Sequence, residues 1–211
     1  MKKRPVKTAP KKRSVAAVKR TGGSKTSPVS FPIVGIGASA GGLQASSLLL
    51  KNLPSNLGLA YVFIHHLSPG YNSQLTEILQ RETAMPVKKV KDKMRIEPDH
   101  VYVIPPNTFM VITDGHLRLQ PRPKGKVPKL SIDHFLLSLA SVAQQKAVGI
   151  LLSGTSSDGT LGLRAIKQEG GITIVQDKTA IHPEMSEHAQ LAGFADHVLP
   201  PDQIGRSLSN W

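Results

Sequence analysis

A serine, a histidine and an aspartate follow three short apolar segments of the chain. Ser39 lies in Gly37-Ala-Ser-Ala-Gly41, which matches the pattern G-x-S-x-G of a serine on a strand-to-helix turn. A serine hydroxyl needs a base to take its proton, and histidine suits that role because its pKa lies near neutral pH. His66 is the candidate base, and Asp158 is the candidate carboxylate that would orient the imidazole and stabilise its protonated form.

The residues after Ser39 could stabilise the negative oxygen that forms in acyl transfer. Ala40 and Gly41 lie in the turn that leads into a predicted helix, so their amides can donate hydrogen bonds to an oxyanion. The chain order Ser…His…Asp differs from the Ser…Asp…His order of α/β-hydrolases. The pattern therefore predicts a serine hydrolase of another kind, because triad chemistry depends on geometry and not on chain order.

Each of the three residues also has a simpler interpretation. The small residues around Ser39 could serve only to pack a strand against a helix, and the pair His65-His66 could be structural. Asp158-Gly159 is also typical of a turn or a helix cap. The coincidence of all three at the ends of predicted strands favours the catalytic interpretation.

The same glycines permit a second hypothesis, a dinucleotide-binding module. Gly35, Gly37 and Ala40 fit the fingerprint G-x-G-x-x-G/A at the end of a first strand. That fingerprint requires an acidic residue at the end of the second strand, which holds the ribose. The chain has histidines there, and the next acid is Glu77, so the cofactor hypothesis is weakened.

The elements that must position these residues alternate between strands and helices. Three strands are strongly predicted because they are short and almost wholly apolar, as in parallel sheets buried on both faces: Pro32–Gly37, Leu59–Ile64 and Ala147–Ser153. Helices are predicted at Leu43–Lys51, Gln74–Arg81, Asp133–Gln144, Leu161–Glu169 and Met185–Leu191. Weaker strands are predicted near Val87–Val90, Val101–Ile104, Ile172–Val175 and Val198.

This alternation predicts an α/β fold with a doubly wound, mostly parallel sheet and helices on both faces. Asp114-Gly115 adds a β-hairpin over residues 111–119, because this dipeptide favours a type I′ turn. Ligands of such folds bind outside the carboxyl ends of the strands. We therefore expect Ser39, His66 and Asp158 to meet at one edge of the sheet.

Length and composition suit one globular domain. The 211 residues contain no cysteine, which excludes disulfides and thiolate sites. The histidines are too scattered to define a metal site, and we expect neither a metal nor an organic cofactor. The absence of a segment of about 20 apolar residues, and of a secretory signal, predicts a cytoplasmic protein.

The net charge of +13 is distributed unevenly along the chain. Residues 1–30 hold ten Lys/Arg and no acid, so residues 31–211 hold 17 basic and 14 acidic residues, a net of +3. We predict a basic disordered tail over 1–30 and a catalytic domain over 31–211. The tail could contact an anionic surface, but no aromatic residue is interleaved to stack on bases, so specific nucleic-acid binding is not expected.

Four segments, taken together, resemble the catalytic domain of the CheB family, the protein-glutamate methylesterases. They are Ile36–Gly42, Ile64-His-His66 with Pro69-Gly70, Leu151–Gly159, and Gly170-Gly171 leading to Gln176. The segments Val103-Ile-Pro-Pro-Asn107 and Asp133-His-Phe135 are similar to the form of this domain that is fused to methyltransferase domains. The resemblance covers residues 31–208, nearly the whole of the predicted domain.

The resemblance implies that Ser39 is the nucleophile, His66 the base and Asp158 the orienting acid. Thr155 lies where the chemotaxis enzymes commonly carry a methionine of the oxyanion pocket, and His65 where the family more often has glutamine. The segment Glu184-Met185-Ser186 replaces the usual Gly-Met-Pro turn.

The resemblance also implies substrates, partners and a form of control. The substrates would be glutamate methyl esters on chemoreceptor helices, with deamidation of receptor glutamine by the same route. Family members often carry a receiver domain before the catalytic domain, and 30 residues cannot form one, so receiver control is not expected in this chain. An inactive interaction domain of the same fold remains the second alternative.

Overall fold

The computed structural model of the chain describes residues 29–65, 74–122 and 130–210. The predicted basic tail therefore lies almost wholly outside the described residues, as does His66. Within the described ranges, no helix is long and apolar enough to cross a membrane.

The strands and helices alternate along the chain as the apolar pattern predicts. The strands are β1 (Ile33–Ala38), β2 (Ala60–His65), β3 (Val87–Lys89), β4 (Met94–Arg95), β5 (His100–Val103), β6 (Thr108–Thr113), β7 (His116–Pro121), β8 (Ala147–Leu151), β9 (Ile172–Gln176) and β10 (His197–Leu199). The helices are α1 (Gly42–Lys51), α2 (Leu75–Gln80), α3 (Ser131–Ala143), α4 (Thr160–Gln168), α5 (Glu184–Leu191) and α6 (Pro201–Ser207). The five predicted helices begin and end within two residues of their predicted bounds.

The main sheet confirms the predicted doubly wound architecture. Its strand order is β10-β9-β8-β1-β2-β5-β3, and every neighbouring pair is parallel. Strand β1 lies in the middle of the sheet. Strands β2, β3 and β5 lie on one side of it, and the chain then crosses to β8 on the other side of β1. The strand order therefore reverses between β1 and β8, where ligand sites form in open α/β sheets.

Helices cover both faces of this sheet because its strands are apolar on both faces. The side chains of α1, α2 and α6 pack in one buried cluster, and those of α3, α4 and α5 pack in the other. Helix α3 crosses β1 closely, since a Cβ atom at Gly35 would lie 2.5 Å from Leu136 Cδ2. The glycines of β1 thus allow close packing against α3, which carries part of the candidate site.

A small antiparallel sheet contains the predicted hairpin. Strands β6 and β7 pair in the order expected, and Asp114 and Gly115 have φ angles of 50° and 71°, as a type I′ turn requires. Strand β4 joins β7 as a third strand, which the sequence pattern did not predict because it is two residues long. Helix α6 was also not predicted; it begins at Pro201, a residue suited to the first turn of a helix.

Candidate active site

Ser39 and Asp158 lie at the same edge of the sheet, beyond the carboxyl ends of two adjacent strands. Ser39 follows β1, and its amide donates to the Ser153 carbonyl at 2.9 Å. Asp158 lies in the turn between β8 and α4, two residues before α4 begins. These two residues therefore flank the point where the strand order reverses, as the sequence predicts.

The third predicted member of the triad, His66, lies outside the described residues. The residue before it, His65, ends β2 and pairs with Ala38, the last residue of β1. The end of β2 is thus at the same edge as Ser39.

The turn after β1 leaves two amides available. Ser39 is partly exposed, and its carbonyl accepts the Gly42 amide at 2.9 Å, which starts α1. The amides of Ala40 and Gly41 donate no hydrogen bond to another described residue. Two free amides directly after a serine can hold a developing oxyanion. Thr155, the other predicted pocket residue, is exposed in the turn between β8 and α4.

The buried residue Ser153 joins three segments of the site. Its hydroxyl donates to the Ala40 carbonyl at 2.7 Å and accepts the His182 amide at 3.0 Å. Its own amide donates to Oε1 of Gln176, at the end of β9, at 2.9 Å. Ser153 thereby fixes the turn of Ser39 to the segment before α5. Sequence reasoning did not assign it this role, although a serine at the end of a buried strand was the available signal.

Glycines allow these segments to approach closely. Gly41 has a φ of 73°, and a Cβ atom there would lie 2.6 Å from Ser153 Oγ. A Cβ atom at Gly154 would lie 3.0 Å from Ser39 Cβ. The amide of Met185 donates to the Gly154 carbonyl at 2.9 Å, and Met185 is fully buried. The segment Glu184-Met185-Ser186, which replaces the Gly-Met-Pro turn, therefore still packs against Gly154, next to Ser39.

Asp158 is almost completely buried and is held by the first turn of α3. Its Oδ1 accepts the Asp133 amide at 2.8 Å, and its Oδ2 accepts the Ile132 amide at 3.0 Å. Amides at a helix N-terminus stabilise a carboxylate. The carboxylate is thus fixed on the α3 face of the sheet.

A second buried carboxyl, which sequence reasoning did not assign to the site, lies beside it. Asp133 Oδ1 accepts the Gly162 amide of α4 at 2.8 Å. Burial raises the pKa of Asp133 above its ordinary value; the Gly162 hydrogen bond opposes this change and the negative charge of Asp158 adds to it. The site therefore contains two neighbouring acids and not one.

His65 lies on the other face of the sheet. Its Nε2 is 3.0 Å from Ser46 Oγ of α1, and its ring contacts Phe63. Since Asp158 is bound to α3 on the opposite face, His65 and Asp158 do not form a pair. A dinucleotide-binding site requires an acid at the end of the second strand, and β2 ends in the buried His65, which does not fit that site.

A family model described as CheB methylesterase matches residues 34–208. The chain belongs to the CheB methylesterase family. The crystal structure of the Thermotoga maritima CheB methylesterase catalytic domain has a TM-score of 0.80 and 29% sequence identity, over 86% of this chain and 99% of that one.

Curated relatives agree with this family. Protein-glutamate methylesterase FrzG of Myxococcus xanthus is 31% identical over 87% of this chain and 56% of its own length. A protein-glutamate methylesterase/protein-glutamine glutaminase of Paramagnetospirillum magneticum is 35% identical over 83% and 50%. A putative protein of the same description from Leptospira interrogans is 31% identical over 83% and 92%. The chain spans about half the length of the first two relatives.

Proposed function

We propose that this CheB-family chain is a serine hydrolase that removes methyl esters from glutamate side chains of chemoreceptors in chemotaxis-type signalling. The observation that carries the proposal is the position of Ser39 and Asp158 at one edge of the sheet, where the strand order reverses. Ser39 is the proposed nucleophile, His66 the base and Asp158 the residue that orients the base.

The proposed reaction has two steps. The Ser39 hydroxyl attacks the γ-carbonyl of the ester as His66 removes its proton, and the proposed oxyanion pocket consists of the amides of Ala40 and Gly41 together with Thr155. The C–O bond to the methoxy group then breaks, and His66 protonates the departing methoxide, which leaves as methanol. Water, activated by His66, hydrolyses the acyl-enzyme to release glutamate and free Ser39.

The same route would deamidate glutamine, with ammonia leaving in place of methanol. Both reactions need only proton transfers and an acyl intermediate, so the proposed mechanism requires no metal and no organic cofactor. The names of relatives that combine methylesterase and glutaminase support this pair of reactions.

The arrangement of the two histidines supports His66 as the base. His65 is buried against Ser46 on the α1 face, whereas Asp158 is bound to α3 on the other face. A base must contact both the serine and the carboxylate, and His65 cannot contact Asp158 from that side.

Receptor helices are the proposed partner, and the proposed location is the cytoplasm. The basic residues 1–30 would add only contact with an anionic surface, which the chemistry does not need. Their removal should therefore leave ester hydrolysis intact.

Methanol release from membranes that contain methylated receptors tests the proposal. Ser39→Ala should lower the rate by at least about 10³-fold, since the acyl intermediate cannot form. Ser55→Ala is the matched control, because Ser55 is exposed in the loop after α1, at the opposite edge of the sheet. Receptor binding without methanol release by the wild type would instead identify an inactive interaction domain. Equal release by wild type and Ser39→Ala would refute the assignment of the nucleophile.

A further inference from the structure

Residues 87–97 form one of two basic segments within residues 31–211. Residues 87–97 hold five Lys/Arg and two acids, a net of +3. The rest of residues 31–211 holds 12 basic and 12 acidic residues. Residues 116–130 also hold five Lys/Arg and no acid, but 123–129 lie outside the described residues, so the segment 87–97 is the basic segment that the structure describes in full.

Four exposed cations of this segment form what we call the basic edge: Lys89, Lys91, Lys93 and Arg95. Among the described residues none of the four forms an ion pair; Lys88, their neighbour, pairs with Glu97 at 3.3 Å. The one acid between Lys89 and Arg95, Asp92, accepts the Leu119 amide at 2.9 Å. The basic edge thus presents four charges that no described acid neutralises by direct contact.

Strand register locates the basic edge relative to Ser39. Lys89 pairs with Val103, Val103 with Phe63, and Phe63 with Ile36 of β1. Lys89 is therefore level with a residue three positions before Ser39, and Lys91 lies beyond the carboxyl end of β3. From β1 to β3 there are three strand spacings, or about 14 Å. Lys89 and Lys91 therefore lie towards the edge of the sheet that carries Ser39, whereas Arg95 lines a cleft with Phe31, before the amino end of β1.

Protection of an edge strand explains only part of this charge. Lysines on an edge strand hinder pairing with another sheet, and Lys88 and Lys89 lie on β3, the last strand of the main sheet. Lys91 and Lys93 follow β3, and Arg95 lies on β4, which pairs with β7. Lys93 also lines an open cleft of about 280 Å³, whose other charged or titratable residues are Asp114, His116 and Arg118. The cations therefore continue past the strand that would need protection.

We propose that the basic edge binds an acidic stretch of the protein substrate and so directs its ester to Ser39. This inference rests on the proposed function, because each ester that is hydrolysed, and each glutamine that is deamidated, leaves a carboxylate on the substrate. A substrate with several such positions presents carboxylates within about 14 Å of the reacting one, which is about nine residues along a helix. Exposed cations act on such a substrate mainly by raising the rate of association.

The test compares two double variants of the full chain. Lys89→Gln/Lys91→Gln removes two charges from the basic edge, and Lys51→Gln/Arg81→Gln removes two exposed charges at the ends of α1 and α2. Both helices end at the opposite edge of the sheet. For each protein, kcat and KM of methanol release from a soluble methylated receptor fragment are measured at low and high salt. Labelling of Ser39 by an uncharged fluorophosphonate serves as a measure of the chemistry alone.

We expect the basic-edge variant to lose about 3- to 10-fold in kcat/KM at low salt, through KM. The loss should vanish near 1 M salt, where the Debye length is about 3 Å. The control pair and all labelling rates should stay within about 2-fold of the wild type. An equal loss in both pairs, or a loss that persists at high salt, would overturn the proposal.

Two further outcomes are distinguishable. Unchanged kcat/KM for the soluble fragment, with lost sedimentation on phosphatidylserine vesicles, would mean that the basic edge binds lipid, and would refute the acidic-substrate proposal. Failure of the proposed function itself would appear differently, as absence of methanol release by the wild type at every salt concentration.

Discussion

Asp158 and Asp133 cap two helices reciprocally. Asp158 binds the first turn of α3, which contains Asp133, and Asp133 binds the first turn of α4, which Asp158 precedes. Asp158, two residues before α4, accepts the amides of Ile132 and Asp133 in the first turn of α3. Asp133, in that first turn, accepts the Gly162 amide of α4. This reciprocal capping makes the position of the proposed catalytic carboxylate depend on the packing of both helices.

Replacement of Asp158 by Asn should separate its two roles. The amide would favour the wrong imidazole tautomer, so methanol release should fall by on the order of 10³–10⁴-fold. It would also present an N–H group to one of the two α3 amides, which should cost about 1–2 kcal/mol of unfolding free energy. Urea unfolding and methanol release measure the two effects. A variant that unfolds more easily yet keeps wild-type turnover would mean that Asp158 is only a helix cap.

Asp133 should make stability depend on pH in a defined direction. Its pKa in the folded protein is raised above 3.8, so its contribution to stability is complete below about pH 3.8 and is lost as pH rises through the raised pKa. Asp133→Asn lacks this term while keeping an oxygen acceptor for Gly162. Relative to the wild type, the Asn variant should therefore gain stability as the pH rises from about 3.8 through the raised pKa of Asp133.

Urea unfolding over that pH range measures this change, and Asp133→Ala is the companion variant. Alanine leaves the Gly162 amide without its acceptor, so this variant should be about 1 kcal/mol less stable than the Asn variant at every pH. A difference between Asn variant and wild type that does not change with pH would contradict a raised pKa at Asp133.

The adjacent histidines offer a matched pair of substitutions. His65→Gln should keep kcat within about 5-fold, because glutamine can still bond to Ser46 and His65 does not contact Asp158. His66→Gln should lower kcat by at least about 10³-fold, because the proposed base is lost. Methanol release from receptor membranes measures both. The reverse order of effects would assign the base to His65.

Ser153→Ala should impair turnover by misplacing the oxyanion turn. The substitution removes the hydroxyl that links the Ala40 carbonyl to the His182 amide, which should cost about 1–2 kcal/mol of stability and about 10-fold in kcat. Ser141→Ala, at an exposed position of α3, is the control and should change neither. A normal kcat in Ser153→Ala would show that the turn keeps its geometry without this link.

Local sequence was sufficient to predict the parts of the fold that local chemistry determines. Asp114-Gly115 alone predicts the type I′ turn. The apolar segments of β1, β2 and β8 predict strands that are buried on both faces of the sheet. Strand β4 could not be predicted, since its two residues are a strand only through their pairing with β7.

The candidate site shows the same limit. The proposed nucleophile and carboxylate could be predicted because each follows a strong strand, and parallel strands end at one edge. The roles of Asp133 and Ser153 could not, because their partners are distant in the chain: Gly162 lies 29 residues from Asp133, and Ala40 lies 113 residues from Ser153. An acid in the first turn of a helix has no unusual local pattern.

The most direct measurement of the central claim is fluorophosphonate labelling of the wild type and of Asp158→Asn, with mass spectrometry to locate the modified residue. If Ser39 is activated through a histidine that Asp158 orients, the adduct should lie on Ser39 and form at least about 100-fold more slowly in the variant. An adduct on another residue, or equal rates of labelling in the two proteins, would contradict the account.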